Sequence, residues 1–126
     1  MMKPRDTALR LKRFEAAEKA RKVASMETMV LDLEQVAADL ARQIAAEEER
    51  TGIKDPAHFA YSTFAKAAGQ RRANLLTSVA DLRAKLDSAK RDHEEAVLEL
   101  GKLEPSEIRD GDRQLGKPDS NGLMIG

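Results

Sequence analysis

Thr51-Gly52-Ile53-Lys54-Asp55-Pro56 is the stretch that decides the fold. Long, highly charged segments with helical periodicity lie on both sides of it. Gly52 can adopt the left-handed conformation that closes a helix C-terminus. Asp55 can accept hydrogen bonds from the first free N–H groups of a following helix. Pro56 suits the first helical turn, where its missing N–H costs nothing. A turn this short returns the chain on itself. The sequence therefore predicts an all-α fold, two long helices in an antiparallel coiled-coil hairpin, with residues 51–55 as the turn.

Upstream of the turn, Asp6 is a candidate N-cap and the first helix is expected over about 6–50, after a frayed start at 1–5. Its clearest stripe is Val23, Met26, Val30, Leu33, Ala37, Leu40 and Ile44. The steps alternate three and four, which keeps one seam facing a partner helix. Extended toward the N-terminus, the seam passes through Lys19, Ala16, Lys12 and Leu9 and weakens. Leu11 and Phe14 fall off it. They either bury against a bend or the chain's other end, or they face another protein. Glu47-Glu48-Glu49 before the turn suggests a solvated face, partly offset by Lys66, Arg71 and Arg72.

Downstream, the second helix is expected over about 56–103. Leu75, Val79, Leu82, Leu86, Ala89, His93, Ala96, Leu100 and Leu103 form its stripe, and Arg72, Ala68, Ala65 and Tyr61 extend it back to the turn. Leu33 against Arg72 is a flaw in this pairing; the arginine stem can pack while its head reaches water. Helices of this length would span roughly 65–70 Å. Pro105 ends the second helix, and residues 104–126, rich in glycine with no apolar period, predict a disordered C-terminal tail.

Composition supports the same reading. In 126 residues, charged side chains make up 35% and aromatic ones 3%, a balance that suits solvated helices better than a thick core. There is no cysteine, so no disulfide framework and no thiolate metal site. No apolar stretch has the length of a signal peptide core or a membrane span. The net charge of zero hides blocks: residues 1–22 carry eight bases against three acids, 32–55 three against seven, 56–91 seven against two, and 92–112 two against eight. An antiparallel pairing sets opposite blocks side by side, whereas a parallel dimer would set each block beside its own copy.

No catalytic constellation is visible. His58 and His93 are far apart, and His93 falls on the seam, where a core histidine is expected. Gly52 and Gly69 are isolated and follow no strand, so no phosphate loop is formed. No serine or threonine has a base and an orienting acid at triad spacing. The expectation is a chain that is no enzyme and holds no metal or cofactor. Arg10-Leu11-Lys12-Arg13 and Arg71-Arg72 could touch phosphates, but interleaved acids and zero net charge argue against nucleic acid as a partner.

The residues after the turn, His58-Phe59-Ala60-Tyr61-Ser62-Thr63-Phe64, hold three of the four aromatic residues. Tyr61 fits the seam. Phe59 and Phe64 do not, and a two-helix hairpin cannot cover both. They suggest a protein–protein hot spot, together with Ile53 and His58. The alternative is that Phe59 staples the second helix by packing on Ile53.

Arg10-Leu11-Lys12-Arg13-Phe14, the long heptad helix, Glu49-Arg50-Thr51-Gly52-Ile53-Lys54-Asp55-Pro56-Ala57-His58-Phe59-Ala60-Tyr61, Ala65-Lys66-Ala67-Ala68 and Gln70-Arg71-Arg72 resemble the FliJ family of flagellar export proteins, in its short alphaproteobacterial form. The likeness covers residues 3 to about 104, and the turn segment is its most specific part. It implies a cytoplasmic component of the flagellar type III export apparatus, peripherally associated with the basal body at the inner membrane. It also implies a stalk-like adaptor whose partners are a hexameric export ATPase, the cytoplasmic part of the export gate membrane protein and export chaperones. Leu11 and Phe14 would then lie at the end entering the ATPase ring. Phe59, Tyr61 and Phe64 would serve the gate or the chaperones, an assignment that rests on their surface chemistry more than on a motif. The alternative is a general coiled-coil structural or chaperone protein that self-associates, for example as an antiparallel dimer.

Overall fold

The computed structural model describes residues 3–104. Two helices, α1 (Pro4–Thr51) and α2 (Thr63–Leu103), pack against each other as an all-α helical hairpin. The described residues divide into two compact units, one of residues 3–21 with 90–104 and one of residues 22–89.

Helix α1 starts two residues earlier than the sequence suggests. Pro4 takes the first turn, where its ring fixes φ and no N–H is missed, and the Thr7 N–H donates to the Lys3 carbonyl at 3.1 Å. Asp6 therefore lies inside the first turn rather than capping it. Residues 4 and 5 are helical, not frayed. At the other end, the Gly52 N–H donates to the Glu48 carbonyl at 2.9 Å, and Gly52 has φ of 74°. This is the left-handed closure expected of it.

In the 22–89 unit the stripes are the buried faces. Val30, Ala37 and Leu40 of α1 and Ala65, Ala68, Val79, Leu86 and Ala89 of α2 are buried; Val23, Met26, Leu33, Ile44, Leu75 and Leu82 are half-buried. The other unit continues the pattern with Leu9 and Ala16 buried and His93, Ala96 and Leu100 half-buried. Among the described residues no polar or charged side chain is buried. Polar links between the helices run in antiparallel order within each unit: Tyr61 to Glu48, Ser62 to Glu47, Arg72 to Ala37 and Arg83 to Glu34 in one, Arg13 to Glu104 in the other. Arg72 is half-buried, and its Nε donates to the Ala37 carbonyl at 3.2 Å, so its head bonds the opposite helix.

The largest departure from expectation is the connection. Helix α2 begins at Thr63, not at 56, and residues 52–62 form the link. Asp55 does act as a cap, but of a turn: its Oδ1 accepts the Ala57 N–H at 2.9 Å. The His58 N–H then donates to the Asp55 carbonyl and the Tyr61 N–H to the His58 carbonyl, both at 3.0 Å. Two consecutive turns thus compete successfully with helix. The helix starts where Ser62 supplies the cap, its Oγ accepting the Ala65 N–H at 3.1 Å. Within the expected 104–126 tail, Glu104 is described and pairs with Arg13 at 2.7 Å; the rest lies outside the described residues.

Candidate partner-binding surfaces

The connection is held by polar groups from both helices. Glu47 is central. Its carboxylate receives Arg50 Nε at 2.9 Å, Arg50 Nη2 at 2.8 Å and the Ser62 hydroxyl at 2.6 Å. The hydrogen bonds from Arg50 and then Ser62 lower the Glu47 carboxyl to about 2, with burial opposing them and the charge of Arg50 adding last, and Arg50 is raised in turn by its bond to Glu47. The Tyr61 hydroxyl donates to Glu48 Oε2 at 2.7 Å, and that bond to an anionic acceptor raises the phenol above its ordinary value. Thr51 Oγ1 accepts the Ile53 N–H at 3.2 Å, and Lys54 lies 3.7 Å from Glu49. Glu47 and Glu48 of the acidic run thus tie the loop while Glu49 stays on the solvated face, and the run's partners are Arg50, Lys54, Tyr61 and Ser62 rather than Lys66 and Arg71.

Inside this frame the apolar groups point outward. Phe59 is 97% exposed, so it does not staple onto Ile53, which is itself only half-buried. Phe59 instead stacks on the exposed imidazole of His58, centroids 4.8 Å apart and planes at 21°. Phe64, in the first turn of α2, is 54% exposed. Tyr61 precedes the helix and so is no helical seam residue; it is half-buried beside α1 through its bond to Glu48. The expected set Ile53, His58, Phe59, Tyr61 and Phe64 falls on one connection and its helix start, with Phe59 as the projecting group.

Leu11 and Phe14 belong to the other compact unit and are 55% and 58% exposed. They are not buried against a bend. In the same unit Val97 and Leu98 are also exposed and border an open groove of about 460 Å³ with His93 and Glu94. No motif marks this pair; only its position off the α2 stripe does. Among the basic residues near the start, Lys12 pairs with Glu15 at 3.5 Å and Arg13 with Glu104.

Among the described residues no group of three or more histidine or acidic side chains is placed to hold a metal ion, and no helix is long and apolar enough to cross a membrane. Compared with protein-family models, with curated proteins and with solved structures, the chain gives no match.

Proposed function

We propose that this chain is a FliJ-like, stalk-like adaptor of a flagellar type III export apparatus. It links the hexameric export ATPase to the cytoplasmic part of the export gate and escorts export chaperones, in the cytoplasm at the basal body. The reading rests on the resemblance of residues 3 to about 104. The observation that carries the adaptor role is a helical hairpin with two separate exposed apolar sets. One is Leu11 with Phe14, and the other is Phe59 with Phe64 on the polar-tied connection. Such residues add little to a seam and much to an interface. In this proposal the chain performs no chemistry; the ATPase supplies it. Nucleic acid is disfavoured, because Lys12, Arg13 and Arg72 are engaged within the chain.

The test is binding of the purified chain to the cognate export ATPase, with ATP turnover read in the same samples. Saturable binding with raised turnover at substoichiometric amounts is expected, and Phe14→Ala should weaken both by about tenfold, a typical loss for a central interface aromatic. Undiminished stimulation by a helical Phe14→Ala chain would remove Phe14 from the interface. A second reading, a self-associating coiled-coil protein, draws on Leu31 and Leu76, which are exposed outside the seam. An antiparallel dimer at micromolar concentration with no affinity for the ATPase would favour it.

A further inference from the structure

One side chain in the connection both holds the backbone and touches the projecting ring. His58 Nδ1 accepts the Ala60 N–H at 3.0 Å while its imidazole stacks on Phe59. A ring nitrogen that accepts a hydrogen bond carries no proton, so this conformation requires neutral His58 protonated on Nε2. The device repeats the one immediately before it, where Asp55 Oδ1 accepts the N–H two residues on. The difference is that imidazole exchanges its proton near neutral pH, whereas an aspartate acceptor keeps its charge there.

We propose that the proton on His58 governs the presentation of Phe59 to an apolar pocket of a protein partner. Protonated Nδ1 would point one donor at another, the Ala60 N–H. The ring must then turn away, the stack against Phe59 moves with it, and the Ala60 N–H passes to water. The group flanked by this change is unusual in the chain: residues 56–65 form its longest run without a charged side chain. A protein pocket suits this surface better than a lipid surface. Residues 47–55 with Lys66 carry four acids against three bases, so no basic collar exists to seat the loop on anionic headgroups.

The titratable and charged groups flanking His58 are mostly committed. On α1, Glu47 pairs with Arg50 and Ser62, and Glu48 with Tyr61. In the connection, Lys54 pairs with Glu49, and Asp55 holds the Ala57 N–H. Lys66 lies on the first turns of α2. Glu47, held down to about 2, keeps its charge throughout the range in which histidine titrates.

The partner side of this inference rests on the adaptor reading; the loop switch does not. The experiment is a nitrogen-15 NMR titration of the full chain from pH 8 to 5, beside His58→Asn. Asparagine offers an acceptor at the place of Nδ1 and gains no proton. In the unsubstituted chain the Ala60 amide should move along a one-proton curve that coincides with the His58 ring. Its solvent exchange, corrected for intrinsic pH dependence, should rise at least threefold, while in His58→Asn both stay flat. Circular dichroism should show unchanged helix in both chains. An Ala60 amide that responds no more in the unsubstituted chain than in His58→Asn overturns the switch. Binding to the cytoplasmic part of the export gate is then compared at pH 7.5 and 5.5. A loss of at least fivefold at the lower pH, absent in His58→Asn, supports control of docking. Equal loss in both chains, or none in either, overturns that control. Failure of either chain to bind at any pH overturns the gate as partner and leaves the NMR result to decide the switch.

Discussion

The seam and the connection place their polarity in opposite ways. Along the seam the stripe's apolar side chains face inward, and among the described residues no polar one is buried. Across residues 52–62 the polar groups turn toward one another and toward α1, and the largest apolar ring stands in water. The seam is held by burial, which is non-directional and tolerates sliding. The connection is held by hydrogen bonds, which fix geometry but contribute little net free energy each. A chain that exposes an aromatic ring while using directional bonds to aim it has spent its local sequence on presentation rather than on stability.

The contrast is sharpest when a charge is put into the seam. Leu40→Asp would bury a carboxylate in the apolar seam, and a loss of more than about 3 kcal/mol is expected, read as a fall in the midpoint of denaturant unfolding. A change below about 1 kcal/mol would mean that Leu40 is not core. Next in size is overpacking. Among the described residues, five of the ten buried apolar ones are alanine, which lets the backbones approach closely. Ala65 is only 1% exposed, so Ala65→Leu should cost about 1–3 kcal/mol by thermal or denaturant melting.

Changes in the connection should cost less. Ser62→Ala removes the α2 cap and one bond to Glu47, with about 1 kcal/mol of destabilisation expected and faster amide exchange at Ala65. Acid and base should act on the same tie from two sides. Glu47 is depressed in the folded chain, so its contribution is complete above the ordinary carboxyl value of 4.5 and is lost as pH falls toward about 2. Tyr61 is raised, so its contribution is complete below the ordinary phenol value of 10 and is lost as pH rises beyond its folded value. Unfolding midpoints should therefore plateau between these limits, and Glu47→Gln should flatten the acid side. Smallest of all is Phe59→Ala, expected within about 0.5 kcal/mol because the ring is already in water. A larger loss would show that Phe59 packs after all.

The seam was legible residue by residue because period alone selects it: alternating steps of three and four from Val23 to Ile44 and from Leu75 to Leu100 pick out the faces that are buried or half-buried. The connection was legible only in part. Gly52 marks the end of α1 by its conformational freedom. Asp55-Pro56, however, reads equally well as a helix cap and as a turn, and the outcome depended on Ser62, a second cap seven residues later. Nothing local announces that Glu47 would reach Ser62 or that Glu48 would reach Tyr61, since both links require the helices to be already paired. Failure to fit the stripe implied that at least one of Phe59 and Phe64 is exposed but left open that Phe59 packs on Ile53; the stacking on His58 had no sequence signal.

The chain contains one tyrosine and no tryptophan, and that tyrosine, residue 61, is bonded to Glu48 at the connection. Its ultraviolet emission is therefore a label already installed at a single place. Excited tyrosine is quenched by a nearby carboxylate acceptor, so brightening reports the opening of this tie and of nothing along the seam. A partner lacking tryptophan could be followed at the loop by fluorescence alone, without attaching a dye or changing a residue.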